Sequence, residues 1–397
     1  MVTVWLMMLQ RLNADATLRE AVSWLYSGFV QPLLEAHKRV VEATVSQNTG
    51  AYSQARKNLP REVAEAIADH MFERLTAREP VEPQPIWLLD GSSLSLAPTP
   101  ELKRAFPPAH NQHGKSHWPI ARVVTAHDVR TGLAVRPVWG PMYGPEAVSE
   151  QSLAFPLLER LSPGLVINDR NFGVFQIAYQ AHQLGHQVLT RLTKARARAL
   201  LKGELTPGLD VPIVWQPSRH DRKAHPELPQ DARVKGRLVV CRVAGQKQPL
   251  YLFTTWDAPA PQVVELYARR WGIELDLGSL KGVLDMNELR SKTTAMVEKE
   301  LILAIAAYNL VQSVRAVAAR SVGIEPRRLS FTGTWVYVKA YLGKLLQPSS
   351  PQEFLQDFTK MIQAVSSMKL PNRSKPRSYP RKIWLRRRSF PTHRTEK

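Results

Sequence analysis

The sequence predicts an α/β fold built on a mixed sheet, and three observations predict it. Two short apolar runs, "IWLL" at 86–89 and "GLVIN" at 164–168, each end in an aspartate, Asp90 and Asp169. Between them "ARVVTAHDVRTGLAVRPVW" carries two β-branched runs around a turn near Asp128 to Gly132, the pattern of a hairpin. After them "NFGVFQIAYQAHQLG" reads as a helix and "HQVLTRL" as a further strand. Strands that alternate with helices after an early hairpin give a sheet with both parallel and antiparallel pairs.

The flanking segments follow in order. Residues 1 to about 80 read as a small helical domain. Thr17 and Glu20 have capping-box spacing ahead of "AVSWLY", and Pro60 opens "PREVAEAIADHMFERL", where Val63, Ile67, Met71 and Leu75 recur every fourth residue. Such a basic helical module suits DNA contact, and equally dimerisation. The proline-rich "REPVEPQP" links it to a core of residues 81–195. From 196 to 258 the runs "VPIVWQPSR", "ARVKGRLVVCRVAG" and "QPLYLFTTW" predict an all-β insertion. The core resumes over 259–325 with "PQVVELYARRW", and 326–397 forms a helical region ending in a basic tail with Arg386, Arg387 and Arg388.

Charge narrows the partner. Lys and Arg number 54 against 34 Asp and Glu, a net +20 with a pI near 10.2. A field of that size suits nucleic acid before an anionic membrane. The opening "MVTVWLMMLQRLN" lacks a basic leader region, and the apolar run Leu301 to Val311 reads as too short to span a bilayer, so no membrane partner is expected. A single cysteine, Cys241, leaves no intrachain disulfide framework and no thiolate-rich zinc site, which points to a reducing, cytoplasmic setting. "HNQHGKSHW", with His110, His113 and His117 around Lys115, reads as a basic loop facing DNA, or as plain solvent-exposed surface.

The chemistry concentrates in "YARRWGIELDLGSLKG", residues 267–282. At roughly 100° per residue, Tyr267, Arg270, Glu274 and Lys281 fall within one helical stripe about 60° wide. Asp276, about 200° from Glu274 on the same wheel, reads as an acid without a role. Asp90 and Asp169 at strand ends, where open α/β sheets place their sites, can meet a helical Glu274. Three hard oxygen ligands suit Mg²⁺ or Mn²⁺. A pair of such ions can drive in-line attack on a phosphodiester, while Arg270, Lys281 and Tyr267 hold phosphate oxygens. Each aspartate alone is as readily a turn former or cap.

The spaced pattern Y-x2-R-x3-E-x6-K, with "DGSSL" around Asp90, "DRNFG" around Asp169 and the flanking "LRSKT" and "AYNLV", resembles the bacterial DDE transposases of the insertion sequence four family, the cut-and-paste group. The resemblance runs from about residue 85 to 315 and implies a ribonuclease-H-like core. It implies Asp90, Asp169 and Glu274 as the catalytic, metal-binding triad for two Mg²⁺ or Mn²⁺ ions, with Tyr267, Arg270 and Lys281 on DNA phosphates. The implied partners are double-stranded transposon ends and target DNA, bound by a homodimer in the paired-end complex. A tryptophan of the insertion would stack on a flipped base; Trp256 is the candidate, with Trp215 competing. Gly278 stands where some relatives carry another basic residue. Two other readings remain at this point: a metal-dependent nuclease or domesticated transposase that does not transpose, and a nonenzymatic basic DNA-binding protein.

Overall fold

Strand β1 (Ile86–Leu96) organises the molecule. In the computed structural model, which describes residues 1–13, 16–26, 48–77, 84–111, 114–243, 248–284, 286 and 288–371, it lies at the centre of a ten-stranded sheet. Among the described residues four helices precede it: α1 (Val2–Leu12), α2 (Leu18–Tyr26), α3 (Thr49–Asn58) and α4 (Arg61–Thr76). The capping box at the start of α2 is formed, with the Thr17 N–H donating to Glu20 Oε2 at 2.6 Å and the Glu20 N–H to Thr17 Oγ1 at 3.2 Å. Along α4 the expected apolar stripe holds in part: Ile67 and Met71 pack against the core beside the buried Ala64 and Ala68, while Val63 is exposed.

After β1 come α5 (Pro100–Ala105), β2 (Pro108–Asn111), β3 (Gly114–Asp128) and β4 (Val138–Pro141). The hairpin around Asp128 to Gly132 is present, but β3 reaches back to Gly114, so "HNQHGKSHW" forms a second hairpin, β2 with β3, rather than a loop. His113 at its tip lies outside the described residues. Next follow α6 (Glu150–Arg160), β5 (Leu165–Asn168), α7 (Phe175–Gln183) and β6 (Gln187–Arg191). β1 pairs antiparallel with β3 and parallel with β5, which pairs parallel with β6. The mixed sheet is therefore as expected.

The segment after β6 differs from the all-β expectation. It holds α8 (Lys194–Leu201), β7 (Asp210–Trp215), α9 (Arg219–Ala224), β8 (Val234–Cys241) and β9 (Leu250–Thr254). β9 pairs antiparallel with β6, then with β8, and β8 with β7, so these strands extend the central sheet. The two helices are each under three turns, too short for a 3.6-residue period to show, and their signals are the N-caps Thr193 and Ser218.

The chain ends with α10 (Ala260–Ala268), α11 (Trp271–Gly282), the short β10 (Glu288–Leu289), α12 (Thr294–Ser321), a 3-10 turn at Pro326–Arg328, α13 (Phe331–Leu346) and α14 (Pro351–Ser366). The basic tail from 372 onward lies outside the described residues. α12 corrects the reading of Leu301–Val311 as too short to span. The helix is 28 residues, long and apolar enough by length and composition to cross a membrane, yet 83% of its apolar window is buried inside this fold. It is the core helix. One apolar cluster joins it to α1, α2 and α4 on one side and to β1 and β3 on the other.

α12 carries its polar residues inward for a reason. The Ala134 N–H donates to Asn309 Oδ1 and Asn309 Nδ2 donates to the Ala134 carbonyl, both at 2.8 Å, which completes a backbone that the sheet leaves unpaired. Tyr308 donates to the Gly132 carbonyl at 3.0 Å and Gln312 to that of Thr131 at 2.6 Å. Gly132 has φ +76, and a Cβ there would lie 2.1 Å from Gln312 Nε2, so the turn requires glycine. Asn309→Ala strands one buried donor and one acceptor; it is expected to lower stability by about 2–4 kcal/mol, read from urea unfolding, with little change in the m-value.

Candidate active site

Side-chain alternation along β1 decides what faces what. Trp87 and Leu89 belong to the cluster formed with α6 and α7, whereas Leu88 belongs to the cluster with Val263, Leu266, Tyr267 and Ile273 of α10 and α11. With a period of two, Asp90 follows Leu88 onto the α10–α11 face. On β5, Leu165 and Ile167 share that cluster, so Asp169 follows them. The parallel register pairs Leu89 with Asn168, and one residue further on Asp90 lies beside Asp169. The two aspartates therefore meet on one face of the sheet.

Asp90 does not terminate its strand, as the apolar run suggested. β1 continues to Leu96, with Asp90 opposite Thr125 of β3. It is β5 that ends here, and its loss opens the edge beside Asp90. The Asp90 carboxyl is pushed up to about 6, chiefly by burial. The Gly91 N–H and the Arg270 guanidinium oppose that rise, and the charges of Asp169 and Glu150 add to it. Asp169 sits in the loop after β5, its Oδ1 accepting from the Asn171 N–H at 2.7 Å.

The helix "YARRWGIELDLGSLKG" is two helices rather than one. Arg269, Arg270, Gly272 and Ile273 each donate three residues back, to Leu266, Tyr267, Arg269 and Arg270. This 3-10 turn separates α10, with Tyr267, from α11, with Glu274 and Lys281, and leaves Arg270 at the joint. Arg270 Nη2 donates to Glu274 Oε1 at 3.0 Å while its Nη1 lies 3.6 Å from Asp90 Oδ2. One guanidinium thus stands between the strand acid and the helix acid. The Tyr267 side chain is 5% exposed and its hydroxyl has no hydrogen-bond partner among the described residues. Burial pushes it up to about 12, with the Arg270 charge opposing. Lys281 lies apart from this group, against Ser92 and Thr125, where burial lowers its ammonium pKa.

Among the described residues no three His, Cys, Asp or Glu side chains converge closely enough to cage an ion. Asp90 and Asp169 are neighbours; Glu274 joins them through Arg270. The donors nonetheless suit a hard divalent cation, being carboxylate oxygens around a raised acid whose like-charged neighbours a cation would offset. Glu274, 45% exposed, and the unpartnered Tyr267 hydroxyl leave polar groups for a ligand to engage. Trp256 is half-buried behind β9 against the α10–α11 cluster, and Trp215 is core, edge-on to Phe253 at 4.9 Å.

Sequence reasoning missed several residues. Asp276, read as an acid without a role, is 1% exposed and paired with Arg327 Nη2 at 2.6 Å. Arg327 also donates to the carbonyls of Val129 and Asp128, so the pair fastens α11 to the end of β3. Arg327 lies 51 residues beyond Asp276, outside any local pattern. Glu150, the first residue of α6, packs its carboxyl where a side chain at Gly91 would go and accepts from Asn171 Nδ2 at 2.5 Å. Trp271, 58% exposed, lies beside the Arg270 guanidinium, 5.0 Å from ring centre to Cζ.

Residues 82–310 match the family described as Transposase DDE domain. Over 329 residues the chain is 29% identical to the transposase InsG for insertion sequence element IS4 of Escherichia coli strain K12, covering 78% of this chain and 71% of that protein. Among solved structures it is similar to the piggyBac transposase synaptic complex with hairpin DNA, at 12% identity and a TM-score of 0.43, over 95% of this chain and 77% of that one.

The Asp90 carboxyl of the metal-free protein is expected to titrate near pH 6, and Asp169→Asn to lower that value by removing a like charge. Because the folded value lies above the 3.8 of an unperturbed aspartate, the unfolded chain releases its proton first. Stability is therefore lost as pH rises from there to about 6, a component that Asp90→Asn removes. Carbon-13 shifts of the carboxyl and urea midpoints across that range check both statements.

Proposed function

This chain belongs to the DDE transposases, of the insertion sequence four type, and we propose on that premise that it cuts DNA at transposon ends and joins the freed 3′ hydroxyl to target DNA. The observation that carries the reading is the β1–β5 register, which sets Asp90 beside Asp169 on the face covered by the helix of Glu274. The mixed sheet, with an antiparallel hairpin and two parallel neighbours around β1, supports the reading of a ribonuclease-H-like core.

Asp90, Asp169 and Glu274 would hold two Mg²⁺ or Mn²⁺ ions. When bound, such ions supply activation of the attacking oxygen and stabilisation of the leaving one. The protein's own groups position the phosphate. Arg270 faces Asp90 and Glu274, so a scissile phosphate beside those acids meets a cation that offsets its charge. The buried Tyr267 hydroxyl, lacking a partner among the described residues, donates to a phosphate oxygen. Lys281, on the same helix near Ser92, contacts the backbone further along the strand. The partner is double-stranded DNA, held by two copies of the chain at paired ends, and the net +20 supports its capture. Trp256 remains the candidate to stack on an unpaired base in a hairpin step. The setting is the bacterial cytoplasm.

Alanine at Asp90, Asp169 or Glu274 is expected to lower Mg²⁺-dependent cleavage and strand transfer by about 10³-fold or more, roughly 4 kcal/mol of barrier, with DNA binding kept. The assay uses the inverted repeats that bracket the gene. Cleavage that survives in all three variants contradicts the enzymatic reading. Cleavage without joining identifies a nuclease.

A further inference from the structure

The N-terminal helices enclose, with the start of α12, a cleft of about 620 Å³ that the catalytic reading leaves unused. Arg11, Arg56, Lys57, Arg290 and Lys292 line it, against Glu300 as the one acid among its described lining residues. Glu300 is already engaged, accepting from Arg11 Nη2 at 2.6 Å and from the Ser291 N–H at 3.1 Å. Among the described lining residues, Arg56, Lys57 and Lys292 thus add cationic charge beyond the Arg11–Glu300 pair.

Three further observations point to an anionic ligand. Arg11 is 6% exposed and its second nitrogen, Nη1, has no partner among the described residues. Ser291, 7% exposed, has a hydroxyl in the same condition, as does Arg56 Nε. Buried donors of this kind are costly unless something accepts from them. The N-terminus of α12 adjoins the same cleft at Thr293, and its Thr294 N–H is already taken, donating to Glu101 Oε1 at 2.8 Å, so the cleft's open donors are those of the side chains. Lys299 fixes the geometry by donating to the carbonyls of Arg56 and Lys57, at 3.2 and 2.9 Å, tying the end of α3 to α12.

The place of the cleft in the fold selects the anion. β10 pairs in parallel with Ser95 and Leu96 of β1, and Arg290 to Thr293 follow it directly. Leu96 lies six residues past Asp90, about 20 Å at the rise of a strand. At 3.4 Å per step of a duplex, that is about six base pairs. We propose that this cleft is a backbone-phosphate site for the duplex whose scissile phosphate lies at Asp90, with Arg11, Arg56, Ser291 and Lys292 as its donors. The assignment rests on the transposase reading and adds to it a second anchor that fixes how the duplex lies.

The test measures binding of a short fluorescent duplex to the full chain across a salt series, by anisotropy. Arg11→Ala would also strand the buried Glu300, so the variants are Arg56→Ala and Lys292→Ala, singly and together, with unchanged melting as the check on folding. Lys360→Ala, an exposed cation on α14, is the charge-matched control. The slope of log affinity against log salt is expected to fall by about 0.9 for each phosphate no longer neutralised, about 1.8 in the double variant, while the control slope stays as in the parent. A double-variant slope equal to the control overturns the proposal. So does inorganic phosphate that binds the cleft by phosphorus NMR while the duplex slopes stay unchanged, since the site then belongs to a small anion. The catalytic reading is judged separately: cleavage lost in Asp90→Ala with unchanged slopes defeats the cleft alone, and cleavage retained in the three carboxylate variants defeats that reading whatever the slopes.

Discussion

The arrangement depends on a register. Because Leu89 of β1 lies against Asn168 of β5, the next residues along the two parallel strands are Asp90 and Asp169, both on the face that α10 and α11 cover. A one-residue slip would send Asp90 to the opposite face, into the apolar layer of α6 and α7. The flanking residues Trp87, Leu88 and Leu89 are all buried, which makes such a slip costly and fixes the carboxylates by packing. Arg270 then balances the charge. Its guanidinium reaches Asp90 on one side and Glu274 on the other, so the helix acid is held near the strand acids by a cation of the chain itself.

The supports of this site come from distant parts of the sequence. The Asp276–Arg327 pair ties α11 to the end of β3, and the same β3 turn is completed by Tyr308, Asn309 and Gln312 of α12. α12 also carries the N-terminal helices on its other side. A single buried helix thus joins the layer of the strand aspartates to the cationic cleft.

Much of this was legible in the sequence, for physical reasons that differ by element. Buried strands are continuous apolar runs, so the start of β1 and all of β5 announced themselves, and the aspartates that follow those two runs are neighbours in the structure. The spacing of Tyr267, Arg270, Glu274 and Lys281 pointed to one functional face, but the wheel assumed one unbroken helix, and Lys281 lies apart from the other three. Nothing local signals the 3-10 turn at Arg270, which the packing of α10 and α11 against the sheet imposes. Asp276 looked idle because its partner is 51 residues away, and pairs of that kind leave no periodic trace. Glu150 was invisible for the same reason: it reaches the site only because Gly91, fifty-nine positions earlier, leaves room for its carboxyl. The strands after β6 were read correctly as strands but wrongly as a separate all-β unit, since sheet membership is set by the pairing of β9 with β6.

The most direct test of the account is anomalous diffraction from crystals of the full chain grown with Mn²⁺ and duplex DNA. The account predicts manganese between the Asp90 and Asp169 carboxylates, with Glu274 turned from Arg270 to the ion and the guanidinium moved onto a phosphate. Manganese bound elsewhere, with the Arg270–Glu274 pair intact beside the DNA, would contradict it.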